Sequence, residues 1–152
     1  MKTKKSYGKK SDTAMRTWID MSRAFRNIRA RETAFIESRG LTLDQFGVLE
    51  ALYHMGTLSV GELTRLVLST PGNMTVVVRN LKEKALISSE QDSEDRRVIK
   101  LTVTKGGAEL IEQIFPVHAG NMAEYFSCLT DDELTEMSSI MRRLEKANRR
   151  KS

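Results

Sequence analysis

"SVGELTRLVLSTPGNMTVVVRNLKEKALISSEQDSEDRRVIKLTVT", residues 59–104, changes its hydrophobic period part-way along, from about 3.6 residues to 2. The first half has apolar residues at helical spacing: Leu63 and Leu66, then Met74, Val77, Val78 and Leu81. Two start signals punctuate it. Ser59 and Glu62 fit a capping box, in which each side chain satisfies the other's backbone N–H. Thr70 before Pro71 fits an N-cap followed by proline in the first helical position, where the missing N–H has no partner to lose. The second half alternates, with Ile99, Leu101 and Val103 on one side of a strand and Val98, Lys100 and Thr102 on the other. Helices over 60–67 and 71–84 are therefore predicted, then a hairpin of 87–91 and 98–103 around a loop at 92–97.

Two short helices followed at once by a hairpin with a charged tip is the ground plan of a winged helix-turn-helix, whose second helix enters the DNA major groove with its N-terminal residues against base edges. Core spacing leaves Gly72, Asn73, Thr75, Val76, Arg79 and Asn80 facing outward, with the cap Thr70 at their head. Asn can bond adenine, Thr and Val can meet a thymine methyl, and Arg79 can reach guanine or phosphate. Any one of these alone fits a solvated face equally well. Val76 decides between the readings, because an apolar β-branched residue has little reason to face water unless something packs on it. The loop holds Asp92, Glu94, Asp95, Arg96 and Arg97. A solvated charged turn is the plainer reading, but a hairpin tip can also deliver a guanidinium into the narrow, negative minor groove.

Outside this stretch the chain reads as helix. Met15, Trp18, Ile19, Ser22, Phe25, Ile28, Glu32, Phe35 and Ile36 recur at three- and four-residue spacing and predict a long helix from residue 13 to before Gly40. Thr42 and Gln45 form a second capping box and open a helix over 43–55. Another helix starts at Thr104 and contains Pro116, which removes one backbone bond and should kink it. A third box, Thr130 with Glu133, opens a last helix whose Leu134, Met137, Ile140, Met141 and Leu144 are expected to face inward. The fold class is mainly α with a small β-hairpin.

The 152 residues carry a net charge of +5, with eleven basic side chains against four acidic in residues 1–40 and six against one in 142–152. That balance suits a polyanionic partner and says nothing of fold. Residues 1–11 lack apolar periodicity and read as a flexible basic tail. The lone Cys128 cannot form an internal disulfide, no apolar run approaches a membrane span, and no secretory signal is present, so a cytoplasmic protein with no membrane partner is expected. There is no Gly-rich phosphate loop and no nucleophile motif, and the two histidines lie far apart, so neither an enzyme nor a metal or cofactor site is expected.

The chain from 13 to 148 resembles the MarR family of bacterial transcriptional regulators. The resemblance is carried by "TPGNMTVVVRNLKEKALISSEQDSEDRRVIKLTVTKGG": a Ser/Thr-started recognition helix, an L-x-x-K-x-L-I exit, a D-x-x-D-R-R wing and an L-T-x-x-G end. It implies that Asp95 and Arg97 are the wing's acid and minor-groove arginine, with Arg96 on phosphate. Ala85 stands where the family usually has Gly, and Arg79-Asn80 where it commonly has Asp-Arg. The resemblance further implies a homodimer on a pseudo-palindromic double-stranded operator, with residues 12–40 and 105–152 as a helical dimerisation region around a winged domain at 41–104. The two terminal apolar stripes independently suggest more apolar surface than one winged domain needs. A repressor released by a small anionic or phenolic effector follows from the family, with Trp18, Arg23, Arg26, His54 and His118 as candidate pocket residues. Redox response through Cys128 and a helical interaction module that binds no DNA are the rival readings.

Overall fold

A computed structural model of the protein describes residues 5–149. The elements run α1 (Lys9–Glu37), α2 (Leu43–Met55), β1 (Leu58–Ser59), α3 (Val60–Leu66), α4 (Pro71–Glu83), β2 (Ile87–Gln91), β3 (Ile99–Val103), α5 (Lys105–Tyr125) and α6 (Asp131–Asn148). The three capping boxes expected from sequence, Thr42/Gln45, Ser59/Glu62 and Thr130/Glu133, all form, and Thr70 caps α4 ahead of Pro71. Those side chains take up N–H groups that helix ends would otherwise leave unsatisfied.

The chain divides into two compact units at the Phe115–Pro116 bond, inside α5. The first has a single apolar core. Phe46, Leu49 and Leu52 of α2 meet Leu63 of α3, Met74 and Leu81 of α4 and Leu101 of β3 there. The sheet has three strands in the order β1-β3-β2, both pairs antiparallel, with Leu58 opposite Leu101 and Ser89 opposite it on the other side. The two-residue β1 is too short for periodicity to reveal. In the second unit α6 buries no residue among those described.

Four expectations need correction. Helix α1 starts at Lys9, so residues 9–11 of the supposed flexible tail are helical; Asp12 accepts hydrogen bonds from Ser6 Oγ (2.6 Å) and Tyr7 N (3.0 Å), which tie down the approach to the helix. Residues 1–4 of that tail, and 150–152 at the other end, lie outside the described residues. Leu66 is 48% exposed rather than in the core, because α3 ends there and the chain turns. Ile99 is also exposed, since it pairs with Gln91 at the loop end of the hairpin, where the strands project away from the helices. Met137, Ile140, Met141 and Leu144 face outward.

Both helix exits around α4 use a left-handed residue that is not glycine. Ala85 (φ 55°) donates its N–H to Lys82 O at 2.9 Å, and Leu86 N–H reaches Leu81 O at 3.0 Å. This is a Schellman closure, a place where glycine avoids a cost of about 1 kcal/mol. Leu68, also at φ 55°, closes α3 in the same way through Arg65 O and Ser69-to-Thr64 O, with its side chain in water. At the start of α5, Thr104 Oγ1 accepts from Gly107 N (3.1 Å) and donates to Ala85 O (2.8 Å). A Cβ on Gly107 would lie 2.1 Å from Leu86 O, so only glycine lets α5 approach this closely.

Candidate nucleic-acid interface

Helix α4 divides as its spacing predicts. Met74, Val77 and Leu81 are buried and Val78 half-buried, while Gly72, Asn73, Thr75, Val76 and Arg79 are exposed. Val76 is 43% exposed, an apolar side chain offered to solvent in the middle of a polar face. Asn80 differs from expectation: it is half-buried and lines a groove with Glu37, Gly40, Gln45 and Lys84, so it points toward α1 and α2 as much as outward.

Four side chains on this face already have partners. Thr70 Oγ1 accepts from Asn73 N at 3.3 Å as the cap, and Thr75 Oγ1 donates to Pro71 O at 3.0 Å, which leaves its methyl group facing out. The Asn73 amide nitrogen donates to Asp44 of α2 and to Ser69 Oγ at 2.8 Å. The link to Asp44 joins residues far apart in sequence, and periodicity carries no signal of it. Arg79 pairs loosely with Glu83 at 3.8 Å. No acidic residue lies in the first turn of α4, whose capped N-terminus presents the positive end of the helix dipole.

At the wing tip Arg97 forms a fork on one carboxylate: Nε to Asp95 Oδ1 at 3.0 Å and Nη2 to Oδ2 at 3.0 Å. The same Oδ1 also accepts from Arg97 N at 3.0 Å. Two parallel charge-assisted bonds fix the guanidinium plane. They hold the Asp95 carboxyl below its ordinary range and push Arg97 further up. The Arg97 side chain nevertheless stays 90% exposed. Arg96 is exposed and has no ionic or hydrogen-bonded partner among the described residues. The loop beneath is held by Asp92, which accepts from Lys100 Nζ and from Glu94 N (2.9 Å) and Asp95 N (3.0 Å). These donors lower its pKa to about 2, with Lys100 the largest cause.

Within the first unit the candidate pocket residues fall in separate grooves. Trp18, Arg23 and Arg26 share a shallow groove of about 310 Å³ with Ile19 and Ser22, on α1 alone. His54 lines a different groove, between α2 and α3, with its ring edge-on to Tyr53 and Phe115. His118 is buried on α5. Cys128 is exposed in the link between α5 and α6. Among the described residues, no helix is long and apolar enough to cross a membrane.

The model of the MarR family matches residues 41–99, which run from the start of α2 to the start of β3. The chain is also 31% identical over 134 residues to the HTH-type transcriptional regulator MhqR of Bacillus subtilis, covering 88% of this chain and 92% of that one. The chain belongs to the MarR family. A second relative, the HTH-type transcriptional repressor MdtR of Bacillus subtilis, is 30% identical over 129 residues, 85% of this chain and 83% of that one. The solved structure of Bordetella bronchiseptica BpsR, whose DNA binding is regulated by 6-hydroxynicotinic acid, superimposes with a TM-score of 0.70 at 24% identity over 83% of this chain and 98% of that one. The protein is thus a DNA-binding transcriptional regulator of the MarR type with a winged helix-turn-helix fold.

Proposed function

We propose that the protein is a homodimeric repressor that binds a pseudo-palindromic operator, with α4 in the major groove and Arg97 in the adjacent minor groove. The fork at the wing tip carries this reading: Arg97 is held by two bonds to Asp95 while 90% of its side chain faces water. Ordering an arginine before docking removes part of the entropy cost of inserting it, and a narrow minor groove attracts the charge. Thr70, Gly72, Asn73, Thr75, Val76 and Arg79 form the major-groove face, and Arg96 meets phosphate.

The dimer reading rests on exposed apolar residues of the terminal helices, Trp18 and Phe25 of α1 and Ile140 and Leu144 of α6. Two-fold symmetry of the protein then asks for two half-sites about one helical turn apart. MdtR as a repressor and BpsR as a regulator answering an aromatic acid support repression relieved by a small anionic or phenolic effector. The groove of Trp18, Arg23 and Arg26, one aromatic beside two cations, is suited to such a molecule.

Selection of bound genomic fragments followed by footprinting tests the whole reading. Two protected half-sites about 10 base pairs apart are expected, with log affinity falling linearly in log salt at about 0.9 per phosphate contacted. Small aromatic acids should then release the footprint. Binding without salt dependence, or to single half-sites by a monomer, overturns it.

A further inference from the structure

We infer that Asp44, outside the helix-turn-helix, decides which bases Asn73 can read; this rests on the proposed insertion of α4 in the major groove. Asp44 lies in the first turn of α2, two residues after its cap Thr42, and its carboxylate is half-buried. Oδ2 accepts from the Asn73 amide and, at 3.4 Å, from the Ser69 hydroxyl, while Ser69 Oγ in turn accepts from Asn73 Nδ2 at 2.8 Å. Three side chains from α2, the α3–α4 turn and α4 thus close on one another.

A carboxylate only accepts, so the orientation of the Asn73 amide is fixed by chemistry: nitrogen toward Asp44, carbonyl away. Both amide hydrogens are then committed, one to Asp44 and one to Ser69. Oδ1 is left without a partner among the described residues, on an exposed residue near the start of the recognition helix. An unrestrained Asn reads adenine with two bonds, donating to N7 and accepting from N6. Asn73 held this way can only accept. It can therefore take the amino group of adenine or the N4 amino group of cytosine, and it is mismatched to the acceptor edges of guanine and thymine. Asp44 is a positioning residue, acting through Asn73 and touching no base.

The test is selection from a randomised duplex library by the full-length protein, with the wild type, Asn73→Ala, and two variants that remove the carboxylate, Asp44→Ala and Asp44→Ser. Thermal melts show that each is folded. The wild type should select adenine or cytosine at one position per half-site, within about threefold of each other and about tenfold over guanine and thymine. Asn73→Ala should lose that preference. Both Asp44 variants should favour adenine over cytosine by about tenfold, because the freed amide recovers its second bond. Removing a negative charge near DNA also tightens binding to every sequence alike, which leaves the base ratio unmoved and so separates charge from positioning. Selection by the wild type with an unchanged ratio in both Asp44 variants, or an unchanged profile in Asn73→Ala, overturns this inference alone. A wild type that selects no sequence overturns the DNA-binding reading beneath it.

Discussion

Helices α4 and α6 carry apolar residues at the same offsets. In α4 these are Met74, Val77, Val78 and Leu81, and in α6 Met137, Ile140, Met141 and Leu144. The first set lies in or against the core, whereas all four of the second are at least 36% exposed. Periodicity therefore reports that a face is built to be covered, and not by what. In α4 the cover is supplied from within the chain by α2, α3 and β2. In α6 roughly 1 kcal/mol per side chain remains to be gained by covering the exposed part, which is a reason for a second copy of the chain to bind there.

The sharpest test of that difference uses one substitution in both helices. Leu81→Ala should lower the unfolding free energy by about 2 to 5 kcal/mol through a core cavity, at any protein concentration. Leu144→Ala should cost about 1 kcal/mol per subunit, and the transition midpoint in urea should shift with protein concentration in the wild type and less so in the variant. A midpoint independent of concentration in both proteins would mean that no second copy covers α6.

The wing should behave like α4, as a part organised before any partner arrives. Arg97→Ala is expected to weaken binding about ten- to a hundredfold on an operator with A·T-rich flanks and less on G·C-rich ones, whereas Arg96→Ala should lower the salt slope by about one unit per half-site whatever the flanks. Asp95→Ala removes a charge that DNA repels, yet it should weaken binding because it frees the Arg97 fork. Fluorescence titrations on matched duplexes would measure all three, and tighter binding by Asp95→Ala would deny the wing its pre-ordering.

A smaller effect lies at the exit of α4. Ala85→Gly should raise stability by about 1 kcal/mol by relieving the left-handed alanine, with no dependence on protein concentration. The smallest concerns pH. Asp92 has a folded pKa of about 2, below its ordinary value of 3.8, so its contribution is complete above about pH 5 and is lost as pH falls through 4 toward 2. The Glu94 and Asp95 amide resonances, whose N–H groups donate to Asp92, should titrate in that window and not near neutrality.

Much of the fold was legible because local signals agreed: the capping boxes, Thr70-Pro71 and the change of period at residue 87 mark element ends by chemistry that acts within a few residues. The face of α4 was legible for the same reason, whereas the Asp95–Arg97 pair was legible only through the resemblance to the MarR family. Leu66 and Ile99 were misjudged because their cover depends on where α3 ends and how far the hairpin projects, and neither is periodic. The start of α1 at Lys9 was missed because its first turn is held by Asp12 and polar residues, without apolar spacing. Asp44 was invisible because its partners Ser69 and Asn73 lie 25 and 29 residues away. That His54 lines a different groove from Trp18, Arg23 and Arg26 was not legible, because residue type alone does not say which side chains share a cavity.

The two-residue strand β1 has a consequence for how the molecule opens. A lone hairpin is barely stable in water, but pairing of Leu58 with Leu101 and Ser59 with Lys100 makes the wing root the middle of a sheet, and Ser59 is also the cap of α3. Breathing of the root therefore requires the first turn of α3 to let go as well, so the amides of Leu101 and Glu62 should exchange with solvent deuterium as one cooperative unit. Beyond Gln91 and Ile99 no third strand is paired, and the tip is closed by bonds of its own, Asp92 N to Val98 O at 2.9 Å, Val98 N to Asp95 O at 2.8 Å and the Asp95–Arg97 fork, so the arginine-bearing loop keeps its order independently of α3.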